Sequence, residues 1–145
     1  MEIYSIGFTK KTAEQFFGIL KKHKIRRLLD VRLNNVSQLA GFAKREDLKY
    51  FLREICNAEY QHELLLAPTQ ELMDSYKKEA SGWDAYASRF LALMAQRKIE
   101  KKLERSLFSA RTVLLCSELQ ADHCHRRLIL EYLQDKWGGI DIVHL

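Results

Sequence analysis

Short apolar runs that alternate with helix-periodic stretches restrict this chain more than any other feature. Ile3-Tyr4-Ser5-Ile6, Ile25 to Val31, Thr112 to Leu115 and Ile140 to Val143 read as strands. Glu59 to Leu64 reads as a shorter one. Between the first two, Thr12 and Gln15 have capping-box spacing and open a helix whose Phe16, Phe17 and Leu20 share a face. Leu48, Phe51, Leu52, Ile55 and Cys56 mark the apolar side of a second helix. Thr69, after the only proline, Pro68, is an N-cap for a third through Leu72, Met73 and Tyr76. Ser81-Gly82 breaks that pattern, and a longer helix follows from about Trp83 with Tyr86, Phe90, Leu93 and Met94 at helical spacing. The last helix is expected from His123 to Trp137, with Gly138-Gly139 turning the chain into the closing strand.

Strands separated by helices form right-handed βαβ units. The expected fold is a single α/β domain over residues 1–145, Rossmann-like and doubly wound, with a mainly parallel sheet and helices on both faces. The helical stretch between positions 69 and 105 exceeds a simple crossover and reads as an insertion, suited to a lid or a dimer interface.

Such a sheet gathers its polar groups where the carboxyl ends of parallel strands meet. The first strand end offers Gly7 and Thr9, the second Asp30, Arg32, Asn34 and Ser37, the third Cys116, Ser117 and Glu118. Asp30 and Arg32 alternate around Val31, so they share one side of an extended chain. They form either an internal ion pair or a substrate grip, with Arg32 suited to holding a phosphate or carboxylate through two hydrogen bonds.

The segment from Cys116 to Arg127 holds two of the three cysteines and two of the five histidines. With Asp122 as N-cap, His123, Cys124 and His125 fall in the first helical turn, where the dipole and Arg126 favour a thiolate. Three chemistries fit. In the first, Cys124 or Cys116 is the nucleophile and Glu118 and His125 exchange protons. In the second, Cys116, Cys124 and His125, with His123 or His144, hold zinc. No CxxC pair is present and the spacing matches no common zinc module, so no metal ligand is assigned at this stage. In the third, the helix start with Arg126 and Arg127 cradles an anion without covalent chemistry. A cysteine-phosphatase loop is excluded: it needs arginine six residues after the cysteine, where this chain has Asp122 and Leu130. Cys56 reads as core, His23 as a helix end, and Trp83 and Trp137 as packing anchors.

Composition narrows the partners. The formal charge of +5 favours an anionic small molecule, nucleotide or nucleic acid. Lys10-Lys11, Lys21-Lys22, Lys77-Lys78 and Lys101-Lys102 read as solvated helix faces among glutamates, and no basic tract carries interleaved aromatics. No apolar run approaches the ~20 residues of a membrane helix. The strand-like N-terminus and sparse cysteines suggest a reducing cytoplasm. No membrane partner is expected, and the sequence leaves any cofactor unknown.

Taken together, Ile3 to Gly7, Leu29-Asp30-Val31-Arg32, Tyr60-Gln61-His62, Leu114 to Glu118, Cys124-His125-Arg126 and the ending Val143-His144-Leu145 resemble the DUF 488 family, a bacterial and archaeal domain of unknown function. The resemblance implies a small α/β protein and points to Gly7, Asp30, Arg32, Cys116, Glu118, Cys124, His125 and Arg126. It supplies no reaction. This chain has Phe8-Thr9 where many relatives carry histidine, and Leu64 to Pro68 where many have a glycine pair.

The leading expectation is a small enzyme with a Cys/Glu/His/Arg site, acting on a phosphate-bearing substrate such as a nucleotide or nucleic acid. A non-catalytic binding module and a metal-dependent hydrolase stand as alternatives, so enzymatic activity stays open.

Overall fold

The computed structural model describes residues 1–36, 40–78, 82–117 and 123–145. Five strands form one all-parallel sheet in the order β3-β2-β4-β1-β5. They are β1 (Glu2–Gly7), β2 (Arg27–Asp30), β3 (Glu59–His62), β4 (Thr112–Cys116) and β5 (Asp141–His144). The helices are α1 (Ala13–Lys22), α2 (Arg45–Phe51), α3 (Gln70–Lys78), α4 (Gly82–Arg97), α5 (Ile99–Lys102) and α6 (His125–Trp137). The doubly wound expectation holds, and the sheet is parallel throughout.

Both faces of the sheet are covered, which is why its central strands read as almost continuous apolar runs. Tyr4, Ile6, Leu28, Val113 and Leu115 pack with Phe16, Phe17 and Leu20 of α1 and Leu48 of α2. Ile3, Leu29, Leu114 and Cys116 face the opposite way, against Phe90 and Met94 of α4 and Leu128, Ile129 and Leu133 of α6. β4 lies between β2 and β1, whose chains leave toward α2 and α1, whereas β4 leads to α6 on the other face. Opposed exits from neighbouring parallel strands open a crevice at their carboxyl ends.

Local signals act as the sequence indicates. The Gln15 amide donates to Thr12 Oγ1 at 3.1 Å and the Thr12 amide to Gln15 Oε1 at 2.9 Å, closing the capping box. The Leu72 amide donates to Thr69 Oγ1 at 3.1 Å. Gly138 and Gly139 turn the chain with φ of 70° and 64°.

Two expectations need correction, and one short helix is additional to them. The second helix tightens no further after Phe51; it widens into a π-helical turn, Leu52–Cys56, closed by Asn57 in the left-handed region. The wider turn shifts the phase of the apolar stripe, and Ile55 is exposed. A short α5 follows Lys98, whose φ of 54° breaks the chain without a glycine. The last helix begins at His125, not His123: Cys124 is its N-cap, in extended conformation.

The stretch read as an insertion is an integral crossover from β3 to β4, since Phe90 and Met94 are fully buried against the sheet. No described helix is long and apolar enough to cross a membrane.

Candidate active site

Backbone bonds bring three strand ends together. The Val31 amide donates to the Leu115 carbonyl at 3.1 Å, carrying the β2–β4 ladder past Asp30. The Thr9 amide donates to the Ser117 carbonyl at 3.0 Å, tying the end of β1 to the end of β4. A cleft of about 610 Å³ opens above β2 and β4. Arg32, Leu33, Asn34, Cys116 and Ser117 line it from the strand ends, and His123, Cys124 and His125 from the start of α6. Met73, Tyr76 and Lys77 of α3 and Trp83 and Tyr86 of α4 form the far wall.

At its floor Cys116 Sγ lies 3.5 Å from His125 Nδ1. The other ring nitrogen, Nε2, is 2.8 Å from the Val31 carbonyl oxygen. A carbonyl only accepts, so Nε2 carries hydrogen, and in the neutral form of the ring it is the Nδ1 lone pair that faces the thiol. The Phe90 ring packs beside the imidazole, centroids 5.3 Å apart at a tilt of 56°. The arrangement is that of a nucleophile, a base and an orienting acceptor.

Cys124 behaves differently from the sequence expectation. It is 2% exposed and makes no side-chain cap to α6. Burial pushes its thiol up, and the adjoining Cys116 adds to the rise while His125 opposes it. Loss of hydration outweighs the helix dipole here, so the thiol stays protonated. Both thiols of the segment are buried, Cys116 at 3% and Cys124 at 2% exposed, and both interact with the His125 ring, with Cys116 Sγ 3.5 Å from Nδ1.

Asp30 is fully buried and does not line the cleft. Its Oδ1 accepts from Arg32 Nε and its Oδ2 from Arg32 Nη2, each at 2.8 Å. Oδ2 also accepts from the Tyr60 hydroxyl at 2.6 Å. Its carboxylate is taken up by Arg32 and Tyr60, so in this structure Asp30 braces Arg32. Burial, then this bond to Asp30, pushes the Tyr60 phenol up. Arg32 Nη2 donates to the Ala43 carbonyl at 2.8 Å, and His62 Nε2 donates to the Arg32 carbonyl at 2.7 Å. The guanidinium lies 5.3 Å from the Phe8 ring centroid, and its Nη1 is buried without a hydrogen-bond partner. Arg32 is thus fixed at four points, and its Nη1 is left as a buried donor without a partner.

Other expected residues divide. Asn34 lines the cleft, and its Oδ1 accepts from the Val36 amide at 3.2 Å. Gly7 and Thr9 do not line it: the Gly7 carbonyl accepts from Lys11 Nζ at 2.8 Å, and Thr9 Oγ1 donates to the Ser117 carbonyl. These two brace the cleft from behind. Arg126, expected to grip substrate, is fully buried beneath the sheet, where Nε donates to Ser5 Oγ at 3.1 Å. That hydroxyl is 2.5 Å from His144 Nδ1, so His144 belongs to this buried cluster. Ser37, Glu118 and Asp122 lie outside the described residues.

Sequence reasoning missed the far wall. Trp83 stacks on Tyr86 at 5.4 Å and on His123 at 5.1 Å. Tyr76 meets Tyr86 edge-on at 4.9 Å. Their helical spacing signalled burial correctly, but only packing shows that this aromatic cluster borders a cavity. Trp137 is the anchor it was expected to be, with Nε1 donating to the Glu100 carbonyl at 2.9 Å.

The model of the family described as "Domain of unknown function DUF488" matches residues 12–133. That span covers most of the chain and holds Cys116, Cys124 and His125. No curated protein and no solved structure matches the chain.

Proposed function

The chain belongs to the DUF488 family, and we propose that it is a cytoplasmic enzyme working through the Cys116 thiol on a phosphate-bearing substrate, a nucleotide or part of a nucleic acid. One observation carries this reading: Cys116 Sγ and His125 Nδ1 are 3.5 Å apart at the floor of a cleft, with His125 held in the accepting tautomer by Val31. His125 takes the thiol proton as Sγ bonds to an electrophilic centre of the substrate. The imidazolium then returns that proton to the leaving group, and water releases the bound fragment.

The anionic part of the substrate is favoured by the unused Nη1 of Arg32, by Lys77 on the far wall and by Asn34. The start of α6, which has no side-chain cap, lines the same space and favours negative charge there. The chain's charge of +5 acts in the same direction over a longer range.

The test is protection of Cys116 from iodoacetamide, read by peptide mass. Nucleoside monophosphates and inorganic phosphate serve as probes at low and high salt. Protection by the nucleotide, weakened by salt and by Lys77→Ala, supports the reading. A labelling rate that no phosphate-bearing probe alters would overturn the substrate class.

A further inference from the structure

We propose that Cys116, Cys124 and His125 form a binding site for a soft divalent cation, zinc, whose occupancy silences the Cys116 thiol. The site stands on its own geometry; the silencing rests on the reading of Cys116 given above.

Among the described residues, these three make a buried group whose ligand atoms all lie within 4.8 Å of one another. Tetrahedral zinc, with bonds of about 2.3 Å to sulfur and 2.0–2.1 Å to nitrogen, sets those two ligands about 3.5 Å apart. Cys116 Sγ and His125 Nδ1 stand at 3.5 Å. One edge of the coordination polyhedron is therefore already in place, and Cys124 Sγ needs to move inward by no more than about 1 Å to complete the face. The imidazole is also oriented as a ligand would be. Its Nε2–H is spent on the Val31 carbonyl at 2.8 Å, which fixes the ring with Nδ1 toward the sulfurs.

Charge and softness select the ion. Two thiolates and a neutral imidazole exactly offset a divalent charge, so the buried assembly is electroneutral. Binding forms two metal–sulfur bonds and one metal–nitrogen bond and releases two thiol protons to solvent, with no change of oxidation state. Thiolate and imidazole favour zinc over magnesium or calcium, which take oxygen. All three residues line the cleft, so the fourth coordination position faces it and is open to water or a ligand.

The ion would use the Cys116 sulfur and the His125 Nδ1 lone pair, the two atoms that proton transfer needs. Metal-bound and thiol-reactive states therefore exclude each other. Cys124 separates the two roles: the thiol mechanism does not call on it, and the metal site does.

The test uses the full chain, reduced and stripped with a chelator. Zinc alone is titrated against a chromophoric competitor, while iodoacetamide labelling of Cys116 is followed with and without the ion. Cys56 packs among the α1 and α2 residues and is distinguished by peptide mass. The expected result is one zinc per chain and slowed Cys116 labelling. In Cys124→Ser, affinity falls by more than the ~10–100-fold that loss of an outer-shell partner costs, and zinc no longer protects Cys116. Cys124→Ala replaces the serine variant if a buried hydroxyl disturbs folding. Failure to bind zinc, or equally tight binding without Cys124, overturns the site. Cys116 that labels as fast with saturating zinc as without it overturns the silencing. Stoichiometric, Cys124-dependent binding to a chain whose Cys116 never reacts keeps the site and removes the thiol mechanism.

Discussion

His125 Nε2 donates to the carbonyl oxygen of Val31, 2.8 Å away and 94 positions earlier in the chain. This bond joins the start of α6 to the end of β2, and it determines which ring nitrogen of the imidazole meets Cys116. The chemistry proposed for the cleft depends on a tertiary contact between backbone and side chain, with the neighbouring Asp30–Arg32 pair holding the same strand end in shape.

That pair makes the first prediction. Asp30 and Arg32 are 0% and 4% exposed, so removing the carboxylate strands a guanidinium away from water. Asp30→Ala is expected to cost about 3–5 kcal/mol in denaturant unfolding, the usual penalty for breaking a buried ion pair from one side. Tyr60→Phe removes one donor from Asp30 and is expected to cost about 1–3 kcal/mol. A loss near zero for Asp30→Ala would show that Arg32 finds other partners and that the pair does not hold the strand end.

Alkaline pH should reveal the buried thiol. Burial raises the Cys124 pKa in the folded chain, whereas the unfolded thiol ionises near its ordinary value of about 8.5. Above that value the unfolded state binds fewer protons than the native state, so stability falls as pH rises. The slope approaches about 1.4 kcal/mol per pH unit until the native thiol itself ionises. Denaturant curves in chelator should show this loss for the wild type and a shallower one for Cys124→Ala. Tyr60, Tyr86 and Tyr132, also raised by burial, add to the loss only from about pH 10.

The two tryptophans should report differently on the cleft. Trp83 borders it between Tyr86 and His123, while Trp137 packs against Phe108 and Arg105 elsewhere. A ligand entering the cleft should change the emission of the wild type and of Trp137→Phe, and leave Trp83→Phe unchanged. A response that persists in Trp83→Phe would place the ligand outside the cleft.

The strands and their two faces were legible because burial on both sides leaves continuous apolar runs in the sequence. The caps at Thr12 and Thr69 were legible because capping is local. Cys116 and His125 could be paired in advance because a strand end and the next helix start are neighbours in any βα unit. Their orientation could not, since it comes from Val31. The alternation Asp30-Val31-Arg32 put the two charges on one side, yet their sealing depends on Tyr60 and the Ala43 carbonyl, contributed by other parts of the chain. Arg126 looked like an anion grip because it opens a helix. Its position beneath β1, bonded to Ser5, is a matter of packing that no spacing rule contains.

The most direct test of the thiol centre is the rate of Cys116 alkylation in the native, zinc-free chain across neutral pH, compared with His125→Ala. Cys116 should react well ahead of Cys124 and Cys56, and loss of the imidazole should slow it by about 10²-fold, in the range of a positioned base. Equal rates in wild type and variant, or three cysteines that react only when the chain unfolds, would contradict a Cys116–His125 reaction centre.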